Sequence, residues 1–108
     1  MRRTKGDDKI IIRKFEKIDQ IIKIFPARNL KAEYFSLKTD ERLGLRRDEE
    51  RQEIFGVLQG MARVQIDDEV YDIGAGKCIV IPRGAYRDVM NENRTTLHGI
   101  KLFSKIEP

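Results

Sequence analysis

The chain has 108 residues, 40% hydrophobic and 37% charged, enough for one compact core and too few for two ordinary domains. Its apolar runs, such as Ile10-Ile11-Ile12 and Ile79-Val80-Ile81, are too short to cross a bilayer, and the charged start from Met1 to Lys9 lacks the apolar stretch of a secretory signal. A cytoplasmic protein with no membrane partner is therefore expected. The net charge of +4 is spread over both signs, with a local excess only at Arg2, Arg3 and Lys5, and gives no argument for a nucleic-acid partner. Cys78 is the single cysteine, which excludes an internal disulfide and a thiolate metal cluster and leaves it as a small core residue. A high charge content with scarce Asn and Gln fits a heat-adapted protein that uses surface ion pairs.

In chain order, residues 1–8 form a charged tail, and 9–108 form a single domain. Lys9 to Arg13, with three consecutive isoleucines, predicts a first strand. Ile18, Ile21, Ile22 and Phe25 recur at helical spacing, so Glu16 to Phe25 predicts a short helix stopped by Pro26. From there the pattern turns to period two and short apolar runs. Leu30 to Lys38 is a strand, and Thr39 to Arg51 a charged connection. Glu53 to Leu58 and Met61 to Asp67 read as a hairpin across Gln59-Gly60, since glycine accepts the positive φ of a tight turn. Val70 to Ile73, Cys78 to Ile81, Tyr86 to Met90 and Thr96 to Phe103 complete a set of short strands punctuated by Gly and Pro. That pattern predicts an all-β, antiparallel sandwich or jelly-roll β-barrel with a short strand-and-helix extension at its N-terminus.

Gly76, Pro82, Gly84 and Asn91 stand at the spacing of Gly, five residues, Pro, one residue, Gly, then seven positions to Asn. This segment resembles the second motif of the cupin superfamily, in which a histidine occupies the position held here by Arg87. The first cupin motif places two histidines on one strand face ahead of a glutamate that precedes a glycine by seven, and Glu53 and Gly60 match that last portion. Counting back from Glu53 puts Arg47 and Glu49, or Arg46 and Asp48, at the histidine positions; counting forward from Gly44 selects Glu50 and Gln52. No register supplies a histidine.

The resemblance implies a small cupin barrel, or double-stranded β-helix, that often dimerises. It also implies a divalent metal held by three histidines and a glutamate, which this chain, with only one histidine, is not equipped to hold. Guanidinium has no lone pair to give a metal. The expectation is a metal-free and cofactor-free barrel whose candidate ligand-binding residues are Arg47, Glu49, Glu53, Arg87 and His98. They would take a small polar or anionic ligand, such as a sugar or a carboxylate. Two alternatives stay open: a metal-independent sugar isomerase or epimerase using His98 or Glu53 with a tyrosine as its acid–base pair, and a dimeric interaction module whose barrel is filled by ion pairs. Catalysis itself has no diagnostic arrangement of residues.

Overall fold

The computed structural model describes residues 10–24 and 30–104. The predicted tail at residues 1–8 lies outside these residues. The elements are β1 (Ile11–Lys14), α1 (Ile18–Ile24), β2 (Leu30–Leu37), β3 (Arg46–Arg47), β4 (Glu53–Gln59), β5 (Met61–Ile66), β6 (Glu69–Gly74), β7 (Lys77–Ile81), β8 (Tyr86–Met90) and β9 (Leu97–Ser104). They form two antiparallel sheets, one ordered β1-β7-β4-β9-β2 and the other β3-β8-β5-β6. This is the predicted all-β jelly roll with its N-terminal strand and helix.

The fold departs from the expected connectivity at Gly60. Strands β4 and β5 do not pair with each other: β4 runs between β7 and β9, and β5 between β6 and β8. The link between them is a corner where the chain leaves one sheet for the other. Gly60 has φ of +93° there, and a Cβ would meet the Thr96 carbonyl oxygen at 2.9 Å. Glycine is demanded as foreseen, but by a crossing between sheets. Strand β3 was also absent from the expected elements. It is two residues long, lies inside the charged connection, and exists only through its pairing with β8.

Facing positions alternate along each strand, and those turned inward make one core between the sheets. Phe55 and Val57 of β4 meet Ala62, Val64 and Ile66 of β5, Ile73 of β6, Ile79 and Ile81 of β7, and Val89 of β8. The five-stranded sheet is apolar on its other face as well. Ile54, Cys78, Val80, Ile100 and Leu102 pack there against Phe15 and the Ile21 side chain of α1. The helix sits close because Gly56 has no side chain: an added Cβ would lie 3.2 Å from Ile21, Phe15 and Ile100. Cys78 belongs to this second cluster, and burial raises its thiol pKa.

Candidate functional site

The interior is apolar except at one end of the barrel. There β4 begins at Glu53, which pairs with Ile81 on one side and Phe103 on the other. Across from it, β8 turns Arg87 inward, two residues before the core residue Val89. Both side chains are sealed from solvent, Arg87 at 1% and Glu53 at 2% exposure. The Arg87 Nη1 donates to Glu53 Oε1, Nε donates to the Ala85 carbonyl at 3.0 Å, and Nη2 donates to the Pro82 carbonyl at 3.2 Å. Three oxygens thus surround the guanidinium. Burial pulls its pKa down from the usual value, Glu53 opposes this, and the nearby Arg46 adds to it; a guanidinium is basic enough to stay charged throughout.

Arg46 completes the arrangement. It pairs with Arg87 across β3 and β8, so it shares the inward face, and its Nη2 donates to Glu53 Oε2 at 2.9 Å. Both oxygens of Glu53 are therefore taken by guanidinium groups. Behind Arg46 the loop from 48 to 52 is tied by Asp48, which accepts from the backbone N–H of Glu50 and Arg51 and from Arg51 Nε at 2.7 Å. Burial alone would raise the Asp48 pKa, but these hydrogen bonds outweigh it and hold the carboxyl below its usual range.

Of the five candidates named from sequence, the structure brings together Glu53 and Arg87. Arg47 follows Arg46 in a two-residue strand and consequently faces the opposite way. Its guanidinium lies 5.1 Å from the Tyr86 ring centroid and bonds Glu49, a largely exposed pair outside the barrel. The register that selects Arg46 is the inward one, because it is Arg46 that pairs with Arg87. His98 lies on the outer face of the five-stranded sheet, since it shares parity with Ile100 and Leu102, and its Nδ1 is hydrogen-bonded to the exposed Tyr34 hydroxyl. It is on the wrong side of the sheet to reach Glu53.

Sequence reasoning missed the inward charges contributed by the five-stranded sheet. Lys101 and Phe103 of β9 and Lys31 and Glu33 of β2 share the inner parity with Phe55 and Glu53. The aromatic ring of Phe103 lies beneath two cations, with Arg51 Cζ at 4.7 Å and Lys101 Nζ at 5.6 Å from its centroid. A different groove, on the outer face of the other sheet, is lined by Met61, Arg63, Asp72, Glu92 and Asn93, where Arg63 is already answered by Asp72 and Glu92.

The residues at the barrel mouth do not suit a transition metal. Glu53 spends both oxygens on guanidiniums, Arg87 occupies the space beside it, and among the described residues no three His, Cys, Asp or Glu side chains converge. The motif positions themselves have structural work. Pro82 supplies a carbonyl to Arg87, and the buried Asn91 amide donates to the Leu37 and Thr95 carbonyls, at 2.9 Å each, binding two neighbouring segments together.

Comparison with known structures bears on the fold. A conserved protein of unknown function from Streptococcus pyogenes superposes with a TM-score of 0.66 at 20% identity, over 95% of this chain and 80% of that one. A predicted oxalate decarboxylase from Thermotoga maritima gives 0.68 at 15%, over 90% and 81%. A sugar phosphate isomerase from a cupin superfamily, from Silicibacter pomeroyi, gives 0.67 at 15%, over 80% of this chain and 57% of that one. No curated protein matches the chain significantly. The Cupin domain family profile matches residues 34–100, and the chain belongs to that family.

Proposed function

We propose that this cupin binds a small anionic ligand at the mouth of its barrel and does so without a metal. The observation that carries this reading is the double clamp on Glu53, in which two guanidiniums share one carboxylate and leave a positive charge over at the partly exposed Arg46. Arg87, sealed and bonded to three oxygens, acts as the fixed internal cation; Arg46 is the group a ligand can reach. Glu53 orients both guanidiniums. The test is calorimetric titration of the metal-analysed protein with acetate and inorganic phosphate, beside Arg46→Ala. Saturable binding by the native chain, weakened at least about tenfold in the variant, supports the reading. A stoichiometric transition metal in the purified protein, or binding indifferent to Arg46, overturns it.

The sugar isomerase or epimerase reading, which likeness to the Silicibacter pomeroyi protein keeps in view, needs an acid–base pair at this mouth. The Tyr34–His98 pair lies on the opposite face of the sheet, which favours binding over turnover. Self-association has its own support. The outer edge of β2 pairs with no other strand among the described residues, and an antiparallel meeting of two copies centred on Ala32 would set Lys31 of each against Glu33 of the other. Sedimentation would then show a dimer that Lys31→Glu weakens and that adding Glu33→Lys restores; a native monomer removes the idea.

A further inference from the structure

The charge balance of the mouth identifies the class of anion. Strand pairing lines up Lys31, Phe103 and Glu53 in one inward row and Glu33, Lys101 and Phe55 in the next. The facing sheet and its loop add Arg46, Arg87, Asp48 and Arg51. Every carboxylate in this group is engaged. Glu53 is held by Arg46 and Arg87, Glu33 by Lys31 at 3.6 Å and Lys101 at 3.4 Å, and Asp48 by Arg51 at 2.7 Å. Among the described residues of this group, five cations thus face three carboxylates, a surplus of two positive charges. The outward Arg47 and Glu49 cancel each other, and Glu50, exposed on the loop, has no ion pair with this group among the described residues.

Arg87 is out of a ligand's reach, but Arg46, Arg51 and Lys101 have side chains 35%, 27% and 23% exposed. They come from three separate parts of the chain, β3, the following loop and β9. Arg51 and Lys101 are further gathered over one ring, that of Phe103, which is itself buried. We propose that this mouth takes a dianionic phosphate monoester, its phosphoryl oxygens received by Arg46, Arg51 and Lys101 above the Phe103 ring. A phosphate monoester brings close to two negative charges and three strong acceptor oxygens to one centre, whereas a monocarboxylate brings one charge and two oxygens. This inference rests on the anion-binding reading above and narrows it.

The test is calorimetry on the full chain with methyl phosphate, acetate, succinate and inorganic sulfate at about pH 7.5 and pH 5, either side of the second phosphate ionisation near pH 6. Glu33 and Asp48 are held below the usual carboxylate range, so they remain ionised at both pH values. Methyl phosphate is expected to bind at least about tenfold tighter than acetate at the higher pH and to weaken several-fold at the lower, where it loses a charge. Sulfate, dianionic at both, should change little. Arg51→Ala and Lys101→Gln should each cost methyl phosphate about tenfold. Lys77→Gln, a remote removal of the same charge, should cost almost nothing; an equal loss there means general screening and overturns the site. Acetate matching methyl phosphate, or succinate exceeding it, overturns the phosphate assignment while leaving the anion site standing. Failure of all four anions to bind sinks both. If Arg51→Ala does not fold, Lys101→Gln alone decides, because its side chain is partly exposed and outside the buried clamp.

Discussion

The two ends of this barrel are built from the same strands by the same alternation, yet they hold their sheets together in different ways. Along β4 the inward positions pass from Glu53 to Phe55 and Val57, and along β9 from Phe103 and Lys101 to Gly99 and Leu97. One end is closed by interlocking aliphatic side chains, whose attraction is non-directional and tolerates adjustment. The other end closes around a guanidinium, where geometry and charge must be met together. The difference teaches that the apolar end supplies the stability and the charged end fixes which residues can stand there at all.

That contrast can be broken most sharply at Glu53. Glu53→Ala leaves Arg87 buried with no carboxylate, and should cost about 3–5 kcal/mol in urea unfolding. Ile73→Ala at the apolar end, fully buried among aliphatic neighbours, should cost about 2–5 kcal/mol through lost burial and a cavity. Salt separates the two, because the apolar variant should show no special dependence on ionic strength. Replacing the clamp altogether, by Glu53→Leu with Arg87→Met, should be neutral or stabilising by about 1–4 kcal/mol while anion binding at the mouth is weakened. A double variant as unstable as Glu53→Ala would mean that the clamp is needed for folding and would break the comparison.

The smallest expected effect concerns acid. Asp48 has a folded pKa below its unfolded one, so its stabilising contribution is complete above the ordinary carboxylate range and is lost as pH falls through the lower, folded value. The loop from 48 to 52 should therefore loosen only as pH falls below the ordinary carboxylate range. Asp48→Asn should flatten that part of the stability profile, and an unchanged profile would rule out the tie to Arg51 as its cause.

Much of the fold was legible because turn chemistry is local. Gly76, Pro82, Gly84 and Asn91 carried the family resemblance, and Tyr86 to Met90 was predicted with the bounds observed. The inward set of charges was less legible. Whether Arg46 or Arg47 faces Glu53 is decided by pairing with β8, some forty residues away, and no local pattern reports that parity. Lys101 was hidden for a related reason. Strand β9 packs α1 on its outer face and the barrel core on its inner face, so Ile100, Leu102 and Phe103 form a nearly continuous apolar run without a period of two. A lysine in such a run is conspicuous only once its face is known.

Strand β8 carries a last consequence. Its neighbouring residues Arg87 and Asp88 are both buried, at 1% exposure each, but on opposite faces. Asp88 receives Arg42, whose Nε lies at 2.6 Å, and the Gly44 N–H at 2.9 Å on the outer side. If β8 slid by one residue, Asp88 would turn in against Glu53, and Arg87 would turn out beside Arg42. Both encounters would be between like charges, and the one with Glu53 would lie where little water is left to screen it. The Arg87-Asp88 dipeptide is thus a key that admits the strand in one alignment, and its value lies as much in the misfolded arrangements it forbids as in the native one it stabilises.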